Sequence, residues 1–119
     1  MRRFAFVLAF VALTSSVSAE TLVLAHHYSA VGLNPDGSKY SGTVTIDIVS
    51  DTTFTIQWDI NGATYQGFGM RRNDSVAATY QIQGEPGLVI YQVQGNGLDG
   101  IWAIKGENGS GTEHLTPTD

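Results

Sequence analysis

The chain has 119 residues, a formal net charge of −5, fourteen glycines and no cysteine. This length predicts one domain with a single modest core, and the absence of cysteine excludes disulfide cross-links. The acidic balance disfavours nucleic acid and anionic membrane surfaces as binding partners.

The N-terminal residues 1–19 have the pattern of a secretory signal peptide. Arg2 and Arg3 precede a run of about ten apolar residues, and small residues lead up to Ala19. A transmembrane anchor is the alternative, but a span requires roughly 20 apolar residues. We therefore expect cleavage after Ala19, a periplasmic or secreted location, and no membrane insertion after cleavage. The mature chain, residues 20–119, would carry four basic against eleven acidic side chains, a net charge of −7.

Residues 20–119 alternate between polar and apolar side chains with a period of two, which is typical of β-strands. Turn signals rich in Gly, Asn, Asp and Pro interrupt the alternation seven times, which predicts eight strands. Such short connections require neighbouring strands to pair antiparallel. We predict one domain that forms an eight-stranded antiparallel up-and-down, calycin-like β-barrel, whose closure removes exposed edges. A two-sheet sandwich is the alternative, although it usually needs longer connections.

Two Asn-Gly pairs predict tight hairpins with defined register. A turn at Asn61-Gly62 would place Trp58 opposite Tyr65 and Phe54 opposite Gly69. A turn at Asn96-Gly97 would place Tyr91 opposite Trp102 and Val93 opposite Gly100.

The alternation also predicts the interior of the barrel. The inward residues would be Tyr28, Tyr40, Val44, Ile46, Ile48, Phe54, Ile56, Trp58, Ile60, Tyr65, Val76, Ala78, Tyr80, Val89, Tyr91, Val93, Trp102 and Ile104. Their bulk predicts a mostly filled core, although an eight-stranded barrel is also wide enough to hold one small ligand. The recurring tyrosine-x-glycine pattern, as at Tyr40-x-Gly42, is interpreted as room for bulky neighbours and for strand curvature.

Several spaced motifs extend along the mature chain, including Tyr28-x-Ala30-x-Gly32-x-Asn34, Trp58-x-Ile60-x-Gly62, Tyr65-x-Gly67-x-Gly69 and Leu98-x-Gly100-x-Trp102. In these motifs the chain resembles a family of small exported bacterial proteins, some of which carry the label fibronectin-binding protein. The resemblance covers nearly all of residues 20–119. It implies an all-β exported domain, and it implies no catalytic set.

Five tyrosines and two charged residues are candidates for ligand binding. All fall on inward positions: Tyr28, Tyr40, Tyr65, Tyr80, Tyr91, Arg71 and Glu113. The tyrosines would either line a pocket for an aromatic or sugar-like ligand or close a barrel end. We expect Arg71 and Glu113 at the same end, as an ion pair that closes one mouth or as the polar end of a ligand site.

Two outer surfaces are candidates for a protein partner or a homodimer. One is an apolar patch formed by Phe68, Met70, Leu88, Ile90 and Ile101. The other is an acidic rim, formed by Asp36, Glu85 and Glu107 in loops that gather at one barrel end.

Catalytic and metal-binding motifs are missing from the sequence. It contains neither a nucleophile elbow nor a phosphate-binding loop, and His26 and His27 would point to opposite faces of a strand. We therefore predict no metal, no cofactor and no enzymatic activity. The first hypothesis is an exported binding module that contacts a protein partner through the loop end or the outer face. The alternative is a barrel that binds a small ligand in its interior, and an enzyme ranks last.

Overall fold

The computed structural model describes residues 23–119, and their regular structure consists of eight β-strands. The strands are β1 (His27–Leu33), β2 (Lys39–Ile48), β3 (Thr53–Ile60), β4 (Ala63–Arg72), β5 (Ser75–Ile82), β6 (Glu85–Gln94), β7 (Gly97–Ile104) and β8 (Gly111–Pro117). Within this part of the chain there is no helix with the length and apolarity needed to cross a membrane. The predicted signal peptide, residues 1–19, lies outside the described residues.

The eight strands form one closed antiparallel barrel. Each strand pairs with the next along the chain, and β8 pairs with β1 to complete the ring. Side chains alternate as the sequence predicts: on β5, Val76 and Ala78 are buried whereas Ala77 and Thr79 are exposed. The predicted closed antiparallel barrel of eight strands is therefore confirmed, and the two-sheet sandwich is wrong.

The β3–β4 hairpin has the predicted register. Asn61 and Gly62 both have positive φ, at 53° and 81°, as a tight two-residue turn with an Asn-Gly sequence requires. Trp58 lies opposite Tyr65 and Phe54 opposite Gly69.

The β6–β7 hairpin differs from its predicted register by two residues. The turn is formed by Gly95 and Asn96, with φ of 64° at Gly95, so that Gln94 pairs with Gly97. Tyr91 therefore lies opposite Gly100, and the predicted pair of Tyr91 with Trp102 is wrong. The observed register is favoured sterically, because the tyrosine ring occupies space that a side chain at position 100 would need.

The two barrel ends differ in how their interiors are filled. The packed end carries the connections 49–52, 73–74 and 95–96. The interior near it is mostly aliphatic, with Phe54 among the aliphatic side chains. Ile46, Phe54, Val76, Leu98 and Leu115 are at most 2% exposed. Leu98 was missing from the predicted interior although it shares the inward phase of Gly100 and Trp102, because the predicted turn at Asn96-Gly97 placed it at the end of the hairpin. Ile48 is 56% exposed despite its inward phase, because it is the last residue of β2, at the rim of this end.

The open end carries the loops 34–38, 61–62, 83–84 and 105–110. Its inward side chains, Tyr40, Ile60, Tyr65, Ile82 and Trp102, are only partly buried. Because the strands are shared, this difference arises from the side chains that face inward and not from the backbone architecture.

Candidate functional site

A cavity of about 330 Å³ occupies the open half of the barrel. Its lining comes from seven of the eight strands and two of the loops, and consists of Asn34, Tyr40, Trp58, Ile60, Asn61, Ala63, Tyr65, Tyr80, Ile82, Val89, Tyr91, Trp102 and Glu113. Asn34 and Asn61 belong to loops of the open end, so the mouth of the cavity lies there. The predicted mostly filled core is therefore wrong for this half of the barrel.

A row of five residues across neighbouring strands builds the floor of the cavity. Glu113 on β8 is flanked by Gly32 on β1 and Gly100 on β7. Those glycines lie opposite Tyr40 on β2 and Tyr91 on β6. A Cβ atom at either glycine would overlap the ring of its tyrosine. The glycines thus let both rings extend towards β8 from either side, where their hydroxyl groups reach the same carboxylate.

The Glu113 carboxylate is held by three neutral donors. The Tyr40 hydroxyl donates to Oε1 at 2.8 Å, whereas the Tyr91 hydroxyl and the Trp58 indole N–H donate to Oε2 at 2.5 and 3.0 Å. Glu113 is 5% exposed. A buried carboxylate requires such partners, and hydrogen bonds from neutral donors satisfy its ionised form.

The hydroxyl groups around this carboxylate stay protonated. Burial, reinforced by the negative charge of Glu113, raises the pKa of Tyr40, Tyr80 and Tyr91 well above the ordinary value of 10.0. The phenols therefore remain neutral hydrogen-bond donors over the physiological pH range.

Aromatic rings form most of the cavity wall and fix one another. Trp58 and Tyr80 pack edge to face with ring centroids 5.2 Å apart, and Tyr40 and Trp102 do the same at 6.2 Å. Such arrangements suit the quadrupoles of aromatic rings and hold both members in place. The Tyr80 and Trp102 rings also lie over inward glycines on the next strand, Gly87 and Gly111, which keeps the rings against the wall.

Five of the seven predicted ligand-binding residues line this cavity. Tyr40, Tyr65, Tyr80, Tyr91 and Glu113 come together there. Tyr28 does not: it lies near the start of β1 at the packed end, where its hydroxyl accepts a hydrogen bond from the Ala25 N–H at 2.8 Å.

The predicted proximity of Arg71 and Glu113 is wrong. Arg71 pairs with Val76 beside the turn 73–74 at the packed end, whereas Glu113 lies towards the open end, opposite Gly32. Strands β4 and β8 do run in the same direction, but Arg71 comes near the end of β4 and Glu113 near the start of β8. Phenol and indole groups therefore replace the guanidinium as partners of the buried carboxylate.

Trp58 and Trp102 were predicted to belong to the core and not to the site. The same holds for Ile60 and Val89, and the loop residues Asn34 and Asn61 were not considered. Their position was the available signal. Each of these four residues points inward and lies in the half of its strand that is nearer to the open-end loops.

The two predicted partner surfaces occupy separate parts of the outside. The apolar patch is formed by side chains that are all more than half exposed: Phe68, Met70, Leu88, Ile90 and Ile101. Strand β5 lies between β4 and β6, and its Ala77 and Thr79 pair with patch residues on both of those strands. The acidic residues Asp36 and Glu107 lie in open-end loops, whereas Glu85 is the first residue of β6 rather than a loop residue. The Ser38 hydroxyl and N–H donate to Asp36 and lower the pKa of its carboxyl group.

The three histidines lie on the outer surface, each beside an aspartate. The pairs are His26 with Asp47, His27 with Asp119 and His114 with Asp99, with nitrogen–oxygen distances of 3.3, 3.1 and 2.8 Å. The rings of His26 and His27 contact each other edge to face with centroids 4.1 Å apart, so the prediction that they point to opposite faces is wrong. Between residues 23 and 119, no three His, Cys, Asp or Glu side chains are arranged to hold a metal ion.

Comparisons with protein families and with curated proteins found no match. Among solved structures, the chain is similar to a redesigned β-barrel, b11L5F_LGL, with a TM-score of 0.65 and 16% identity over 81% of this chain and 92% of that one. It is similar to a de novo designed fluorescence-activating β-barrel, with a TM-score of 0.61 and 16% identity over 80% and 94% of the two chains. It is also similar to EF1p2_mFAP2b bound to DFHBI, with a TM-score of 0.58 and 17% identity over 80% and 94%. At these identities the similarity shows the fold alone.

Proposed function

We propose that this protein binds a small, largely apolar ligand in the cavity at the open end of its barrel. The observation that carries the proposal is the cavity itself, with its aromatic wall and single buried carboxylate. Its volume of about 330 Å³ lies within the range of roughly 300–1,000 Å³ of small-molecule sites, which are mostly apolar with a few polar groups.

This proposal reverses the order of the two hypotheses drawn from the sequence. An open, aromatic interior supports internal binding, whereas the outer apolar patch remains a predicted surface for a protein partner or a second copy. One similar barrel is described as fluorescence-activating and another as bound to DFHBI, which supports the proposal by analogy of fold. An up-and-down barrel that holds its ligand inside is the calycin arrangement, and we propose a calycin-like mode of binding.

We propose further that the protein acts as an exported binding protein and not as an enzyme. All three donors that reach Glu113 come from the barrel itself, which favours a role in fixing the cavity floor over proton transfer to a substrate. Export and membership of the exported bacterial family rest on the sequence motifs described above.

Titration with indole, a neutral aromatic with one N–H donor, tests internal binding. We expect saturable NMR shifts in the methyl groups of Ile60, Ile82 and Val89, which line the cavity, and little change in Ile46 and Leu115 at the packed end. Shifts confined to the outer patch, or no saturable shift at all, would contradict internal binding.

A pair of variants on β4 separates blocking of the cavity from general damage. Ala63→Phe puts a ring into the mouth and is expected to weaken indole binding about tenfold or more. Thr64→Phe adds a ring of the same size on the outward-facing neighbour and is expected to leave binding unchanged. Equal losses in the two variants would argue against an internal site.

A further inference from the structure

The cavity holds one acidic side chain and no basic one. Glu113 is the only charged residue in its lining, and within residues 23–119 the only basic side chains near the open end, Lys39 and Lys105, lie outside that lining. Arg71 is at the opposite end. A ligand that enters this cavity therefore meets a negative charge whose only protein partners are neutral.

The Glu113 carboxylate retains hydrogen-bonding capacity. A carboxylate has about four acceptor positions, and three are used here: two on Oε2, by Tyr91 and Trp58, and one on Oε1, by Tyr40. The remaining position belongs to Oε1. A donor group on a ligand could occupy it without displacing any of the three protein donors.

The walls around the carboxylate present the faces and edges of several aromatic rings. Trp58, Tyr80, Tyr40 and Trp102 form two edge-to-face pairs in the lining, and Tyr65 lies opposite Trp58. The negative faces of such rings attract organic cations, and clusters of them recognise ammonium groups. The phenols keep their protons, as the raised pKa values of Tyr40, Tyr80 and Tyr91 indicate.

From this arrangement we infer that the ligand is a small organic cation, an ammonium or substituted ammonium group on an apolar body, which is held by Glu113 and by the surrounding aromatic rings. The inference rests on the proposed function, because it assigns the chemical class of the ligand to the same cavity. The acidic balance of the chain acts in the same direction, since a net negative charge favours the approach of cations.

An isosteric pair of ligands tests the charge directly. Phenyltrimethylammonium and tert-butylbenzene have nearly the same shape and differ by one positive charge. This quaternary cation has no N–H donor, so the pair isolates the charge and cation–π contributions from hydrogen bonding. We expect the cation to bind about tenfold more tightly or better at low ionic strength, with nuclear Overhauser contacts from its methyl protons to the Trp58 and Tyr80 rings. Equal affinities would overturn the inference whether or not any variant folds.

Two charge-removing variants locate the source of the preference. Glu113→Gln removes the interior charge and is expected to abolish the preference for the cation. Asp99→Asn removes one charge from the outer face of β7, where Asp99 contacts His114, and is expected to leave the preference intact. Equal effects of the two variants would attribute the preference to net charge and would overturn the inference.

The indole titration separates this inference from the proposed function. If indole binds in the cavity and the isosteric pair binds equally, the charge inference fails alone. If neither indole nor either member of the pair binds, the internal site itself is refuted and the inference falls with it. Binding of the cation in the cavity, with weaker binding of its neutral isostere, supports both.

Discussion

The two ends of this barrel are built from the same strands and differ in the side chains that those strands direct inward. Near the packed end the buried inward residues are aliphatic side chains with Phe54 and Tyr28, and they exclude solvent almost completely. Near the open end they include aromatic rings with polar tips, four of which occupy the space beside a glycine on the next strand. We therefore expect the packed end to supply most of the stability of the barrel, whereas the open end retains a cavity.

The largest expected effect tests this division directly. Phe54→Ala removes a ring that is 0% exposed and should lower the free energy of unfolding by about 3 to 5 kcal/mol, because the surrounding strands cannot collapse into the space. Tyr65→Ala, at the open end, should cost about 1 kcal/mol, since that ring is only partly buried. Denaturant unfolding measures both values. Similar losses would mean that the open end also supports the fold.

The boundary between the two ends is the Glu113 network, and its loss should have the next largest effect. Glu113→Ala leaves the buried Tyr91 hydroxyl without its acceptor and leaves the Trp58 indole N–H only the longer bond to the Tyr91 oxygen, at 3.3 Å, which should cost about 2 to 4 kcal/mol. Thr112→Ala, at the exposed neighbouring position on β8, is the control and should cost less than about 0.5 kcal/mol. An unchanged stability for Glu113→Ala would show that the carboxylate does not organise the cavity floor.

Much of the fold could be predicted from the sequence because its signals are local. Two-residue alternation and turn residues identify strands, and Asn61-Gly62 specifies its own hairpin. The segment Gly95-Asn96-Gly97 offers two possible turns, and the choice depends on which side chains meet across the strands. The observed turn gives Tyr91 a glycine opposite it and buries Leu98, an outcome that local turn preference does not determine.

The site was less predictable than the fold, for two physical reasons. The inward phase of Tyr40, Tyr91 and Glu113 follows from alternation, but whether bulky residues fill a barrel depends on where their rings lie. Tyr40, Tyr80 and Trp102 lie over glycines and border the cavity, whereas Phe54 lies over Gly69 and is fully buried, so the glycines alone do not determine which half stays open. The error at Arg71 has another cause. Two-residue alternation predicts whether a side chain points inward, but it does not predict how far along the barrel axis that side chain lies. Residues on two strands that run in the same direction meet only if they lie equally far from the same barrel end.

The inward glycines offer a finer comparison between the ends. A Cβ atom at Gly69 would overlap the Phe54 ring and approach the Ala77 carbonyl oxygen at 2.6 Å, whereas the three atoms nearest to one at Gly87 all belong to the Tyr80 ring. Phe54 has no free space, but Tyr80 borders the cavity and can move into it. Gly69→Ala should therefore cost about 2 to 3 kcal/mol and Gly87→Ala about 1 kcal/mol or less.

Indole binding should rank these two glycine variants in the opposite order from stability. The displaced Tyr80 ring in Gly87→Ala would occupy part of the cavity and weaken indole binding, whereas Gly69→Ala, while folded, should bind indole normally. If Gly87→Ala proves the less stable of the two and leaves binding intact, the assignment of stability to one end and binding to the other is wrong.

The smallest expected effect compares the tyrosines of the two ends during alkaline titration. Burial raises the pKa of Tyr28 at the packed end and of Tyr40 and Tyr91 at the cavity floor, but the charge of Glu113 contributes only to the latter two. Above about pH 10 the unfolded chain releases phenolic protons that the folded barrel retains. The free energy of unfolding should therefore fall as pH rises through this range, and these groups should not affect it at lower pH.

In Glu113→Gln, Tyr40 and Tyr91 should ionise at lower pH because the repelling charge is gone, whereas Tyr28 should titrate as before. The phenol carbon shifts in NMR resolve each ring, and a uniform change in all three tyrosines would mean that the variant had loosened the whole barrel.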